Sequence, residues 1–190
     1  MNTNFTDNQF LDAMDSLDSL LSETKLDDVS AESNGGFEDL PEGYYLSVLE
    51  KAELTVSKSS GAPMVSLTFK VVENGITEVV DEKGYVKKVY IEKSEGRKIF
   101  KHYPFKDSSS VKRFVADMLK FEGETPDTPL LEKEYFTTKE LLGQALDYLS
   151  SAQPQIFVQV TKSTNKQGQT TNWNNLITWN RARQLELVAE

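Results

Sequence analysis

The chain has 190 residues with 30 acids, 21 bases, one histidine and no cysteine. Without thiols there are no disulfides, thiol nucleophiles or thiolate metal sites, and a single histidine excludes two-histidine metal and acid–base chemistry. The net charge of −9 sits in residues 1–40, which hold ten acids and one base, whereas residues 41–190 hold 20 of each. The chain therefore divides into an acidic segment, 1–39, and a neutral body, 40–190, long enough for one domain with its own core.

Residues 6–23 predict an amphipathic helix. Thr6 with Gln9 matches a capping box, Asp7 suits the positive end of the helix dipole, and Phe10, Met14, Leu17 and Leu21 recur at helical spacing. That apolar stripe needs a cover, so these four residues are expected to bind the body, a second copy or a partner protein. Asp12, Asp15 and Asp18 solvate the other face and lack the loop pattern of a hard-cation site. Residues 24–39, rich in Ser, Asp, Glu and Gly, read as a flexible linker. No basic segment precedes an apolar run at the N-terminus, and no stretch is apolar enough to span a bilayer, so a soluble intracellular protein with no membrane partner is expected.

The body opens at Pro41-Glu42-Gly43. A first strand is expected over 44–54, with Tyr44, Leu46, Val48, Ala52 and Leu54 on one side, and a turn at 57–63. A second strand follows, with Val65, Leu67, Phe69 and Val71 facing one way. Residues 76–80 and 85–92 flank Asp81-Glu82-Lys83-Gly84 and predict a projecting hairpin. A third main strand runs over 97–105, ended by Pro104. Helical spacing then takes over: Val111, Phe114, Val115, Met118 and Leu119 lie behind a cap region at Ser108–Ser110. A second helix is opened by Thr137 or Thr138. A fourth strand holds Ile156, Val158 and Val160, and a fifth runs from Thr170 to Trp179, with Trp173, Asn175, Ile177 and Trp179 on one face. This order predicts a mainly β, α+β fold. Specifically, it is that of an OB-like five-stranded Greek-key barrel with its helices between strands three and four, preceded by the acidic helix.

Enzymatic signals are absent. His102 has no nucleophile-elbow motif to serve, and no glycine loop cradles a phosphate. No catalytic residue, metal or cofactor is expected. Nucleic-acid signals are present instead. Lys83 to Arg113 holds ten bases and three acids, interleaved with Tyr85, Tyr90, Phe100, Tyr103 and Phe105, and Tyr148 to Leu185 holds four bases and no acid. Single strands need cations to track phosphates and ring faces on which bases stack. The expected interface comprises Lys58, Lys87, Lys88, Lys93, Arg97, Lys98, Lys101, Lys162, Lys166, Arg181 and Arg183 as cations, with Tyr85, Tyr90, Tyr103, Trp173 and Trp179 as stacking rings. Of the two tryptophans, one is expected in the core and the other exposed. The competing reading puts Phe100 and Phe105 in the core and leaves the lysines as a solvated face.

The stretch Leu40-Pro41-Glu42-Gly43-Tyr44-Tyr45, then Lys51-Ala52-Glu53-Leu54, Ser57-Lys58 and Gly61-Ala62-Pro63 through Val71, resembles the opening of bacteriophage single-stranded DNA-binding proteins of the OB-fold type. Phe157 to Lys162, Gly168-Gln169, Asn172-Trp173 and Ile177 look like their closing hairpin. The resemblance covers most of residues 40–180. It implies non-catalytic, largely sequence-independent binding of single-stranded DNA in phage replication or recombination, within the host bacterial cytoplasm. It also implies replication or recombination proteins as partners, here through the N-terminal helix, and leaves self-association open. The acidic arm departs from the family's C-terminal recruiting tail, and the 76–95 hairpin and second helix look like additions. The alternative is a phage-encoded inhibitor or adaptor that acts through the acidic arm on a host protein.

Overall fold

A 14-residue strand, β1 (Gly43–Val56), is the axis of the computed structural model, which describes residues 39–57, 60–166, 168 and 170–188. The expected helix with Phe10, Met14, Leu17 and Leu21 lies outside the described residues, as does Lys58. The division between compact units falls after Asp39. In chain order the strands are β1, β2 (Pro63–Val71), β3 (Gly75–Val80), β4 (Val86–Ile91), β5 (Lys98–Pro104), β6 (Gln155–Thr164) and β7 (Thr170–Ile177). Helices α1 (Ser108–Met118) and α2 (Lys139–Ala152) intervene between β5 and β6, and α3 (Trp179–Gln184) follows β7. All ladders among the described strands are antiparallel, so the fold is α+β and mostly antiparallel sheet.

β1 serves two ladders, and its sequence explains how. Along one edge it pairs with β2 and, at Tyr44, with β3, while Gly43–Val48 pair with β6 along the other. Tyr45, Ser47 and Leu49 are buried, and Glu50 is a bulge residue that lets Ala52 return to the buried side. The bulge divides the five residues expected on one side of this strand between its two faces. Tyr44, Leu46 and Val48 lie on the opposite, half-buried face, where Tyr44 and Leu46 pack with Phe157, Ala182 and Leu187 in a second apolar cluster. A strand covered on both faces near its start, with a phase shift near its middle, cannot be assigned a core face by alternation alone. The main cluster gathers Tyr45, Leu49, Leu67, Phe69, Phe114, Met118 and Leu149, among others. Burial raises the Tyr45 hydroxyl to a pKa of about 12 although Arg97 opposes the shift, and the hydroxyl donates to the Pro41 carbonyl at 2.6 Å.

The β3–β4 hairpin has the expected turn. Asp81 Oδ1 accepts from the Lys83 and Tyr85 N–H groups at 2.9 and 3.0 Å, and the Tyr85 bond leads the causes holding this carboxyl below its ordinary value. At its root, buried Ser94 accepts from the Gly75 N–H at 2.8 Å and donates to the Ile91 carbonyl at 2.7 Å. Gly75 is required here, because a Cβ would sit inside the envelope of the buried Tyr45 ring.

α1 is capped one residue before the expected serines. Asp107 is the cap, its Oδ1 accepting from the Ser110 N–H at 2.7 Å, while Ser110 Oγ accepts from the Asp107 N–H at 3.1 Å. The Ser110 bond also holds the Asp107 carboxyl below its ordinary value. A carboxyl with a depressed folded pKa stabilises above its unfolded value and loses that contribution as pH falls through the folded one. Asp107→Ala is therefore expected to lower the thermal midpoint near neutrality, and the gap from wild type should narrow in acid; scanning calorimetry across that range checks it. α2 is capped by Thr138, whose Oγ1 accepts from Leu141 N–H at 3.2 Å. Its Ser150 Oγ accepts from the Ala52 N–H and donates to the Ala52 carbonyl, tying the helix to β1 beyond the bulge.

The fifth expected strand is shorter than its sequence pattern. β7 ends at Ile177, and Thr178 caps α3 by accepting from Arg181 N–H at 3.2 Å. Trp179 is thus helical and does not share a strand face with Trp173. The apolar alternation ran on because its ring packs edge-on against Phe157 at 5.5 Å and its Nε1 donates to the Gln155 carbonyl at 3.1 Å.

Candidate functional site

Two edge strands meet without a ladder. The strand path β5-β2-β1-β6-β7 leaves β5 and β7 at its two ends. Side chains join them: Asn174 Nδ2 donates to the Phe100 carbonyl at 2.8 Å, and the Lys101 ammonium donates to the Asn174 carbonyl. Lys120 Nζ, from just beyond α1, donates to the Leu176 carbonyl at 3.0 Å. Both lysines converge on one carboxylate. Asp117 lies 3.4 Å from Lys101 Nζ and 2.6 Å from Lys120 Nζ, and accepts from the Tyr103 hydroxyl at 2.7 Å.

These groups are held where charge is costly. The side chains of Lys101 and Asp117 are 17% and 15% exposed. Burial lowers the Lys101 pKa, and the neighbouring Asp117 opposes that shift. Burial, reinforced by the Asp117 charge, drives the Tyr103 hydroxyl far above its ordinary value. The network substitutes ammonium-to-carbonyl bonds for the missing ladder, so that edge carbonyls of β7 are satisfied.

Beyond this pinned stretch the seam widens into a groove of about 680 Å³ between β5, α1 and β7. Phe100 and Trp173 line it and are 53% and 57% exposed. His102, Lys106 and Arg113, all exposed, add to its walls, as do Asn172, Asn174 and Asn175. Among the described residues neither Lys106 nor Arg113 has a carboxylate within 4.0 Å. Asp107 and Asp117 also line it, and the Arg113 charge is among the causes that hold the Asp107 carboxyl below its ordinary value. Rings, cations and amide groups in one cleft can still hold a flat, anionic, hydrogen-bonding ligand. No group of His, Asp or Glu suited to a metal occurs among the described residues.

Of the residues expected from sequence, the groove contains three. Trp173 lines it and is more than half exposed, whereas half-buried Lys101 and buried Tyr103 are engaged in the Asp117 network. Tyr103 has no free ring face for stacking, because an inward position on β5 buries it against Phe114. Tyr85, Lys87, Lys88, Tyr90 and Lys93 belong to the β3–β4 hairpin and the turn after it, at the opposite end of the sheet path from β5. Tyr85 and Tyr90 are 67% and 75% exposed there, while Lys87 pairs with Asp81 at 3.2 Å and Lys88 with Glu186 at 3.0 Å. Arg97 is half-buried, and Lys98 pairs with Glu50 at 3.0 Å. Lys162 and Lys166 lie exposed on the β6–β7 hairpin, with Lys162 the cross-strand partner of Asn172. Trp179, Arg181 and Arg183 are on α3, and Arg183 donates to Asn180 Oδ1 at 2.8 Å.

Sequence patterns alone did not single out Phe100, Lys106 and Arg113 as site residues. Phe100 alternates with buried Ile99 and half-buried Lys101, so strand phase was the signal that could have found it. Phe105 is half-buried and packs on Phe114 at 5.4 Å, so of the two phenylalanines only Phe105 follows the core assignment.

No curated protein matches the chain. A family model described as a protein of unknown function, DUF669, matches residues 26–98. That span ends at the first residue of β5 and stops short of every groove residue from Phe100 to Asn175.

Proposed function

We propose that this protein binds single-stranded DNA, without catalysis, in the groove between β5, α1 and β7. The observation that carries the reading is the presence in one groove of two exposed rings, Phe100 and Trp173, beside two exposed cations, Lys106 and Arg113. The rings stack bases of any identity, and the cations follow the phosphates. Duplex DNA keeps its base faces stacked inside and cannot use the rings. The path β5-β2-β1-β6-β7, with two helices between β5 and β6, supports an OB-like Greek-key barrel whose last seam is closed by side chains. A role in phage replication or recombination, with partners reached through the acidic N-terminal segment, follows from the sequence resemblance and is part of this proposal.

The test is a titration of oligo-dT into the intact protein, followed by tryptophan fluorescence at several salt concentrations with duplex DNA as control. Quenching by the single strand is expected, with affinity falling as salt rises by a log–log slope of about 0.7 for each phosphate neutralised. Absence of binding, or binding indifferent to salt, would sink the proposal.

A further inference from the structure

We propose that two copies of this chain dimerise by antiparallel pairing of β4 with β4, which joins their β3–β4 hairpins into one sheet. Half of the large apolar side chains exposed among the described residues lie on this hairpin: Val79, Val80, Tyr85, Val86, Val89 and Tyr90. An apolar cluster of this kind marks an interaction surface. β4 also ends the strand path, pairing with β3 alone among the described strands. The Asp81 N–H donates to the Tyr85 carbonyl, so residues 81 and 85 form a hydrogen-bonded pair, and bonded and non-bonded pairs alternate from there. Val86, Lys88 and Tyr90 therefore turn their N–H and C=O groups away from β3, toward the open edge.

Sheet edges are commonly guarded by proline, by a bulge or by lysine charge. β4 has no proline, and its register with β3 is unbroken from Val86 to Ile91. Both of its lysines are neutralised within the chain. Lys87 lies 3.2 Å from Asp81 and Lys88 lies 3.0 Å from Glu186, with Glu78 directly across the ladder from Lys88. A second copy fits this edge in one register. Pairing about Lys88 sets each Val86 opposite a Tyr90 and uses all three outward-facing residues, whereas any other register leaves at least one of them unpaired. Val80 and Val86 of one copy then continue into Tyr90 and Ile76 of the other as an apolar row, with β-branched side chains against an aromatic one. The two lysines that meet at the centre each keep their own carboxylate, so like charge does not oppose the pairing. No groove residue lies on β3 or β4, so the dimer is expected with or without DNA.

The test is sedimentation velocity of the intact protein over a dilution series, without DNA. A species of twice the chain mass that dissociates on dilution is expected. Lys88→Pro removes an N–H that β3 does not use and should sediment at half that mass. Should circular dichroism show that Lys88→Pro does not fold, Val86→Lys/Tyr90→Lys changes only exposed side chains and should likewise be monomeric. Lys88→Cys checks the register, because the chain has no other thiol. Residues in a hydrogen-bonded pair have Cα atoms about 5.5 Å apart, within disulfide reach, so mild oxidation should link two copies through position 88 and not through Val86→Cys. A wild type that is monomeric at every concentration would overturn the inference. So would a dimer that persists undiminished in the folded edge variants, or a Lys88→Cys chain that links no better than Val86→Cys.

Discussion

Replacing Trp173 by alanine is expected to weaken oligo-dT binding by about 5-fold to 150-fold, the range set by the stacking of one base on an aromatic ring. The fluorescence quenching should vanish with it. The thermal midpoint should stay close to that of wild type, because more than half of this side chain is already in water. Trp179→Phe provides the opposite pattern. It loses the Nε1 bond to the Gln155 carbonyl, at a cost of about 1 kcal/mol, and keeps a ring to pack on Phe157 and full affinity for the strand. Affinity and denaturation measured on both variants separate an interface tryptophan from a structural one. If Trp173→Ala bound oligo-dT as tightly as wild type, the groove would lose its claim to be the binding site.

Asp117→Ala should be among the most destabilising single substitutions in the body. It leaves the Lys101 ammonium enclosed with a carbonyl for company, removes the acceptor of the Tyr103 hydroxyl, and frees Lys120. Breaking a buried pair by removing one partner costs about 3–5 kcal/mol. Lys101→Met, which removes the buried charge and keeps the apolar stem, should cost clearly less, although it strands the Asn174 carbonyl. The pH dependence has a definite sign. Burial already lowers the Lys101 pKa, and without Asp117 to oppose it the value falls further. Between the folded and unfolded lysine values the unfolded chain binds more protons, so stability rises with pH through that window. Urea denaturation should therefore show Asp117→Ala recovering part of its deficit in mild alkali. A variant as stable as wild type near neutrality would mean that the network is not what closes the seam.

The β3–β4 hairpin and its Asp81 turn, the helix opened by Thr138, and the β6–β7 hairpin were legible because each is a local pattern. Turn chemistry, caps and alternation act over a few residues, and those interactions survive in the fold. Three features were not. The core face of β1 depended on the Glu50 bulge and on a second cluster covering its other side. Trp179 continued a strand pattern but entered a helix, because Phe157 and the Gln155 carbonyl hold its ring. The basic, ring-rich stretch from Lys83 to Arg113 looked like one surface, yet the chain carries its first half to the far end of the sheet and folds only its second half against β7.

The sequence by itself determined the separation of acidic segment from neutral body, the kinds of groups available, and nearly every element of local structure. Charge, ring and amide content are properties of composition, and short-range periods need no partner to be read. Only the tertiary structure decided which of these groups share a site. Phe100 and Trp173 are 73 residues apart in the chain, and what brings them together is a seam held by Lys101, Lys120, Asp117 and Asn174. Alternation assigns a residue to one side of its own strand, but it carries no information on where that strand ends relative to another. That relation is set by strand order and by long-range bonds across the seam, which no window of the sequence contains.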